Sequence, residues 1–316
     1  MAPRVITIFG GSGFIGRHVV RRLARQGWII RLAVRDPDRA KFLRPLGDVG
    51  QITPIAVPLQ DADAVAAAVA GTEAVVNLVG VLYERGRQSF KAVHVDGAQS
   101  IASAAAAAGV KSLVHISAIG ADPEAAADYA RSKGYGERLV REAMADAVIC
   151  RPSLVIGPED DFFNRFALYA RLSPFLPLIG GGHTRFQPVY VGDVADAIVR
   201  ALGTPAARGQ TYELGGPSVY SFAELMELLL SEIGRRRLLL PVPFWLAEIQ
   251  AVFLELLPVP PLTRDQVRLL RRDNVVSEGA LTLRDLEVAA TAIEVVLPTY
   301  LARHRPGGRA DRLRSA

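Results

Sequence analysis

The chain has 316 residues, of which 50% are hydrophobic and 22% charged, so a disordered chain is excluded and there is enough apolar material for a large core. Its formal net charge of +5 sits at one end, where Arg303, Arg305, Arg309, Arg312 and Arg314 against Asp311 supply +4 within the last fourteen residues. This leaves no basic face for a nucleic acid; the tail, containing Pro306-Gly307-Gly308, reads as flexible, with anionic lipid or an acidic partner as its alternative role.

Val5-Ile6-Thr7-Ile8-Phe9 is an apolar strand that opens into Gly10-Gly11-Ser12-Gly13-Phe14-Ile15-Gly16 and then into a helical pattern over Phe14–Arg25. The three-residue spacing of Gly10, Gly13 and Gly16 serves a tight turn, the approach of backbone to a pyrophosphate, and close packing of helix on strand. The helix start would offer its free N–H groups and positive dipole end to the phosphates. The strand expected at 29–34 ends at Arg35-Asp36-Pro37, nineteen residues after Gly16, where the ribose of a dinucleotide is read. An acid there selects NAD and an arginine admits the 2′-phosphate of NADP; Arg35 favours NADPH, because Asp36-Pro37 also matches a helix cap with proline after it.

Strands follow at 52–57, 74–80, 113–117 and 147–156, alternating with helices at 62–69, 90–108 and 128–144. The first strand begins within a few residues of Met1, leaving no room for a signal peptide, and no apolar stretch reaches the length of a bilayer span. Cys150, the single cysteine, lies inside an apolar strand, so a reducing compartment fits. His115 also lies within a strand and reads as a packed, hydrogen-bonded core residue; no partner at metal-ligand spacing stands beside it, and no metal site is expected. Tyr129 and Lys133 are four apart on one helix face, twelve residues after Ser117. In that arrangement the lysine would lower the phenol pKa and bind a ribose, and the serine would orient a carbonyl or hydroxyl.

Past Gly157-Pro158-Glu159-Asp160 the alternation loosens: a glycine-rich loop at 180–182, a short strand, a helix capped by Asp193 and a strand at 211–214 precede about a hundred residues of mainly helices and loops. The expected architecture is α/β, a Rossmann-type doubly wound parallel sheet over 1–215 (with 157–190 contributing to a second lobe), a smaller helical lobe over 216–302, and the basic tail 303–316. In that lobe 244–257 carries Phe244, Trp245, Ile249, Val252, Phe253 and Leu256 at helical spacing between arginine clusters. Such a segment suits packing in its own domain or contact with a bilayer surface or membrane subunit.

Gly10-x-x-Gly13-x-x-Gly16, Asn77-Leu78-Val79-Gly80, Ser117, Tyr129-x-x-x-Lys133 and Arg151-Pro152 resemble the extended and atypical branch of the short-chain dehydrogenase/reductase superfamily over about the first 215 residues. Arg151-Pro152 through Gly157-x-Glu159-Asp160-x-Phe162-x-Asn164-x-Phe166 is similar to the NADPH-binding accessory subunits of respiratory complex I, the NADH:ubiquinone oxidoreductase. The resemblance implies a bound NADPH with a structural role where the peripheral and membrane arms join, without turnover of its own, among other complex I subunits. Its place would be the cytoplasmic face of a bacterial inner membrane, with 244–257 and the tail as the bilayer contact. It implies a cofactor-binding set of Gly10, Ser12, Gly13, Phe14, Ile15, Gly16, Arg35, Leu59, Leu78, Val79, Gly80, Ser117, Tyr129, Lys133, Pro152 and Leu154. Relatives carry an acid or amide near the adenine where this chain has Val57-Pro58-Leu59. Because Ser117, Tyr129 and Lys133 are all present, a soluble NADP-dependent reductase or a nucleotide-sugar epimerase or dehydratase is the alternative.

Overall fold

In the computed structural model residues 4–307 are described, so Arg309, Asp311, Arg312 and Arg314 of the basic tail lie outside them. The chain begins with β1 (Val5–Phe9), α1 (Phe14–Arg25), β2 (Ile29–Val34), β3 (Ile52–Ala56), α2 (Ala62–Val69) and β4 (Ala74–Asn77). β-branched residues fill the early strands, and α1 turns Val19, Val20, Leu23 and Ala24 inward at helical spacing. Asp61 caps α2 by accepting the Ala64 N–H at 3.0 Å.

A turn of π-helix at Lys91–Asp96 leads into α3 (Gly97–Ala107), followed by β5 (Ser112–Ile116), α4 (Asp128–Ala143) and β6 (Val148–Pro152). Next come β7 (Val155–Ile156), α5 (Phe162–Leu172), β8 (Phe175–Ile179), β9 (Arg185–Phe186), β10 (Val189–Tyr190), α6 (Val191–Gly203) and β11 (Thr211–Leu214). The chain continues with β12 (Tyr220–Ser221), α7 (Phe222–Glu232), β13 (Leu238–Val242), α8 (Phe244–Leu254), α9 (Arg264–Leu269) and α10 (Ile293–Leu301).

Seven strands form one parallel sheet in the order β11-β6-β5-β4-β1-β2-β3. From β1 the chain winds outward through β2 and β3, then returns to place β4 on the other flank of β1. That reversal opens a crevice at the carboxyl ends of β1 and β4, the place where doubly wound sheets bind ligands. On one face α2, α3 and α4 cover a core that includes Phe9, Val65, Val75, Ile101, Leu113 and Ile149. Elsewhere in the same unit α1 is tied to α6 by a two-pronged Arg22–Asp196 pair at 2.7 and 2.9 Å.

The described residues divide into two compact units. The first holds everything up to Pro152 together with Val191–Leu214 and Ser277–Ala289. The second comprises Ser153–Tyr190, Gly215–Val276 and the residues from Ala290 on, with its own core around Phe163, Leu176, Phe222, Leu225, Leu229 and Leu297. Its strands make three separate pairs, β7 with β10, β8 with β13 and β9 with β12.

Three local expectations are corrected. The helix expected over 90–108 is a π-turn followed by an α-helix; at that turn the His94 carbonyl abuts Gly136 of α4, where a Cβ would stand 2.1 Å from it. The strand expected over 147–156 is broken after Pro152, because Ser153 Oγ lies 2.7 Å from Asn274 Oδ1 and β7 pairs with β10 rather than continuing in the main sheet. Asp193 is not a cap but the third residue of α6, buried in its first turn, where its charge suits the helix dipole. The last hundred residues also contain the strands β12 and β13. His115 is a core residue as expected, 2% exposed and bonded to Asn77.

Candidate functional site

The glycine loop is shaped by what its positions exclude. Gly10 has φ +73°, and a Cβ on it would lie 3.0 Å from the backbone of Leu78 and Val79, so β4's exit runs directly against the loop. A Cβ on Gly16 would meet Gly11 backbone atoms at 2.5 Å, so here the third glycine packs the helix onto the loop itself. Gly13 is exposed, faces only the Gly10 carbonyl, and begins α1 with no side-chain cap. An uncapped helix start behind an open glycine is what a pyrophosphate requires. Ser12, Phe14 and Ile15 lie in this same turn, partly buried.

At the end of β2, Asp36 is already committed. Its Oδ1 accepts the N–H groups of Asp38 and Arg39 at 3.0 and 3.3 Å, and its Oδ2 pairs with Arg39 at 3.3 Å. Arg35 is exposed beside it. Arg17, which the sequence reading passed over, directs Nε to the Gly13 carbonyl at 3.4 Å and sets its guanidinium 5.3 Å from the Phe42 ring centroid. Leu59 is partly buried and packs against the core and against Gly97.

The loop leaving β4 is held from behind. Leu78 N–H bonds to the Phe9 carbonyl at 2.9 Å and Val79 N–H to Asn77 Oδ1 at 3.1 Å. With Oδ1 accepting, Asn77 Nδ2 donates to His115 Nδ1 at 3.0 Å, which leaves the His115 proton on Nε2. That atom and Ser117 Oγ are buried with no hydrogen-bond partner among the described residues. Burial, and next the charge of Lys133, lower the His115 pKa to about 3, so it is neutral.

Ser117 directly follows β5, its N–H bonded to the Cys150 carbonyl at 2.8 Å. Lys133 Nζ donates to the Ile116 carbonyl at 3.2 Å, and a Cβ on Gly80 would be 3.3 Å from Nζ. Tyr129 presents its ring to the same ammonium, 6.0 Å from the centroid. The Ile116 carbonyl, Gly80 and the Tyr129 ring are thus gathered around the Lys133 ammonium. The expected depression of the phenol pKa is reversed: desolvation pushes Tyr129 up to about 12, while burial lowers Lys133 to about 8 against the opposing pull of Glu137. The ammonium is engaged with the Ile116 carbonyl, and burial alone sets the direction at the phenol. Behind these residues Arg151 clamps Glu137 with two bonds of 2.9 and 2.6 Å and reaches Glu213 at 3.6 Å, fixing α4 to β6 and β11. Pro152 closes β6, buried, and its carbonyl accepts the Ile119 N–H at 3.1 Å.

Leu154 belongs to the second unit and packs on its core. There the 157–166 motif forms a structural knot: Asp160 accepts the Phe163 N–H at 2.7 Å, the Gly157 N–H at 3.2 Å and the Tyr300 hydroxyl, joining the turn to α10. The helix expected at 244–257 ends at Leu254 and is inverted in its packing. Ala247 and Ala251 face inward, while Trp245, Phe253 and the following Leu256 are 62%, 67% and 82% exposed. Two of the flanking arginines are paired with acids of the same segment, Arg271 with Glu248 and Arg264 with Glu255. No helix among the described residues is long and apolar enough to cross a membrane, and none of their His, Cys, Asp and Glu side chains group as a metal site.

Comparison with known proteins places these features in context. A model of the NAD dependent epimerase/dehydratase family matches residues 6–215. The chain is 35% identical to NADH dehydrogenase [ubiquinone] 1 alpha subcomplex subunit 9, mitochondrial, of Arabidopsis thaliana, over 96% of this chain and 79% of that protein. It is also 35% identical to the protein of the same name in Mus musculus, over 95% and 80%. A ceramide reductase of Caulobacter vibrioides is 33% identical over 77% of this chain and 74% of its own length. Among solved structures, a dTDP-glucose 4,6-dehydratase, DesIV of Streptomyces venezuelae with NAD and TYD bound, superposes with a TM-score of 0.71 at 19% identity, covering 94% of this chain and 95% of that one, a likeness of fold.

Proposed function

This chain belongs to the NAD dependent epimerase/dehydratase family, and from that premise we propose that it serves as an NADPH-holding accessory subunit of a respiratory NADH:ubiquinone oxidoreductase, without independent turnover. The observation that carries the reading is the extent of the likeness: it covers 96% of the chain, well past residue 215 where the family match ends, and the relative is named as a subunit of that enzyme. The exposed Trp245 and Phe253 of the inverted helix, with Leu256 just beyond its end, support it further, since an exposed apolar patch of this kind marks an interaction surface. In a bacterial cell the subunit would sit on the cytoplasmic face of the inner membrane, with this patch and the basic tail towards the bilayer surface.

In this reading the Gly10–Gly16 loop receives the pyrophosphate, Arg35 the 2′-phosphate, the 78–80 backbone the middle of the cofactor, and Tyr129 with Lys133 the nicotinamide ribose. The engagement of Asp36 with its own backbone supports NADPH over NADH, because the acid that would prefer a 2′-hydroxyl is occupied. Bound NADPH supplies a hydride donor; Ser117 and the Tyr129 hydroxyl would orient whatever stands beside it. A second reading, an NADP-dependent reductase, draws on that same grouping and on the relative named a ceramide reductase.

The deciding measurement is the native size of the chain after mild-detergent solubilisation of its membranes, with mass spectrometry of whatever comigrates. Migration in a large particle with NADH-oxidising subunits is expected. Migration as a monomer or dimer refutes the subunit reading and turns the search to substrates, with loss of turnover in Tyr129→Phe as the mark of the reductase.

A further inference from the structure

The strand β8, Phe175-Leu176-Pro177-Leu178-Ile179, and its partner β13, Leu238-Leu239-Leu240-Pro241-Val242, are apolar on both faces, the pattern of parallel strands covered on both sides. Only one side is covered here. The strands pair with Phe175 opposite Leu238 and Pro177 opposite Leu240. The alternate residues Leu176 and Leu178 are buried in the core of the second unit, with Leu239 packed against it. The other face turns outward and leaves Phe175 46%, Leu238 69% and Leu240 41% exposed. Leu168 and Leu172, one turn apart on α5 just before β8, are exposed as well.

Arginines stand at the amino end of this face, where Arg235, Arg236 and Arg237 run directly into Leu238. Two of them are turned inward: Arg237 Nε donates to the Ala170 carbonyl at 2.6 Å and Arg235 Nε to the His304 carbonyl at 3.4 Å. Arg236 is exposed and has no acid partner among the described residues. Arg235 and Arg236 line an open hollow of about 410 Å³ together with Leu230, Ser231 and Gly234, and no carboxylate enters that lining. Glu232, the acid just before it in the chain, is held by Arg305 at 3.5 Å. At the other end of the pair a Cβ on Gly180 would stand 2.3 Å from the Phe244 ring, so α8 begins where β8 ends. The outward strand face thus runs roughly 13 Å, from the arginines to the start of the helix that carries Trp245.

We propose that this face and the hollow at its edge seat one anionic phospholipid, the phosphate against Arg236 and Arg235 and the upper part of an acyl chain along Leu238 and Leu240. Charge complementarity selects this occupant: a hollow lined by two guanidinium groups and no acid suits a phosphate, and the uncovered strand face beside it suits hydrocarbon. Free phosphate lacks the apolar half that the strands call for. The proposal rests on the bilayer contact in the reading above. Lasting attachment to a bilayer takes two signals, and α8 and this seat supply one each.

The test uses the full chain, vesicles of phosphatidylglycerol mixed with phosphatidylcholine, and two soluble probes. These are dihexanoylphosphatidylglycerol below its micelle-forming concentration and sn-glycerol 3-phosphate, which has the phosphate without the chains. In calorimetry the short-chain lipid binds at least about tenfold more tightly than glycerol phosphate. Arg236→Glu weakens the short-chain lipid at least about tenfold, and cosedimentation with the mixed vesicles falls with it. Leu238→Asn with Leu240→Asn weakens the short-chain lipid about tenfold while leaving glycerol phosphate within about twofold. All three positions are exposed, so an unchanged melting temperature marks an intact fold. Equal affinity for the two probes reduces the hollow to a site for free phosphate and overturns the proposal, as does short-chain binding that is unchanged in Arg236→Glu or in the leucine pair. Binding of neither probe overturns it too, and assigns the strand face to a protein partner. If the short-chain lipid binds as expected but the parent does not sediment with vesicles, the bilayer contact falls and the seat stands as a site for a single lipid.

Discussion

Arg35 and Asp36 show how much one residue's prior commitments decide. In the proposed site both would stand where a ribose is read, but the Asp36 carboxylate already caps the backbone of Asp38 and Arg39, which would leave the arginine to meet a ligand. Arg35→Asp is expected to weaken NADPH by at least about tenfold while changing NADH little, measured by fluorescence titration. Undiminished NADPH affinity would remove Arg35 from the site. A second residue-scale consequence concerns acid. His115 titrates at about 3 in the folded chain against 6.5 as a free group, so below 6.5 the unfolded chain holds more protons and stability is lost as pH falls. The loss is up to about 1.4 kcal/mol per pH unit. His115→Gln is therefore expected to be less stable than the parent at pH 8, about 1.5 units above the free imidazole value, yet to lose less on acidification to pH 5, where only the parent's imidazole would protonate on unfolding. Parallel thermal-denaturation profiles would contradict the buried neutral imidazole.

Among the elements, α8 carries the clearest consequence. A helix whose small residues are buried while Trp245 and Phe253 are exposed gains little from its own core, so polar replacement outside and enlargement inside have opposite readouts. Trp245→Gln with Phe253→Gln is expected to change unfolding free energy by no more than about 0.5 kcal/mol while abolishing cosedimentation with vesicles containing anionic lipid. Ala251→Leu, which overfills a fully buried position, is expected to cost about 1–3 kcal/mol in denaturant unfolding. Vesicle binding that survives the double replacement would assign the exposed face to a protein partner instead.

Across the whole molecule, the first unit is assembled from three stretches of chain. Its edge strand β11 takes a backbone bridge from Leu281 to Tyr212, and Glu213 accepts the Ser277 N–H at 2.7 Å. Glu213→Ala removes both the acceptor of the Ser277 N–H and the outer partner of Arg151 within this unit. Glu213→Ala is expected to melt roughly 2–4 °C below the parent for a loss of about 1 kcal/mol. An unchanged melting temperature would show that Glu213 does not anchor the 277–289 segment.

The sequence by itself determined the parallel sheet, the glycine loop and the placing of Tyr129 and Lys133 on one helix face, because each depends on local spacing: period-two and helical patterns, glycines three apart, two side chains one helical turn apart. It also marked 244–257 as an apolar helix, but apolar periodicity is the same whether a stripe faces a core or stands exposed, and only the packing of Ala247 and Ala251 decided between them. The break after Pro152 depends on Asn274, more than a hundred residues away, and no local pattern carries that. The β8–β13 pair was hidden for the same reason: α6 and α7 lie between its strands in the chain, and only the tertiary fold brings the two together. The phenol's pKa, too, was settled in three dimensions, since the four-residue spacing supplied the lysine but not the desolvation that outweighs it.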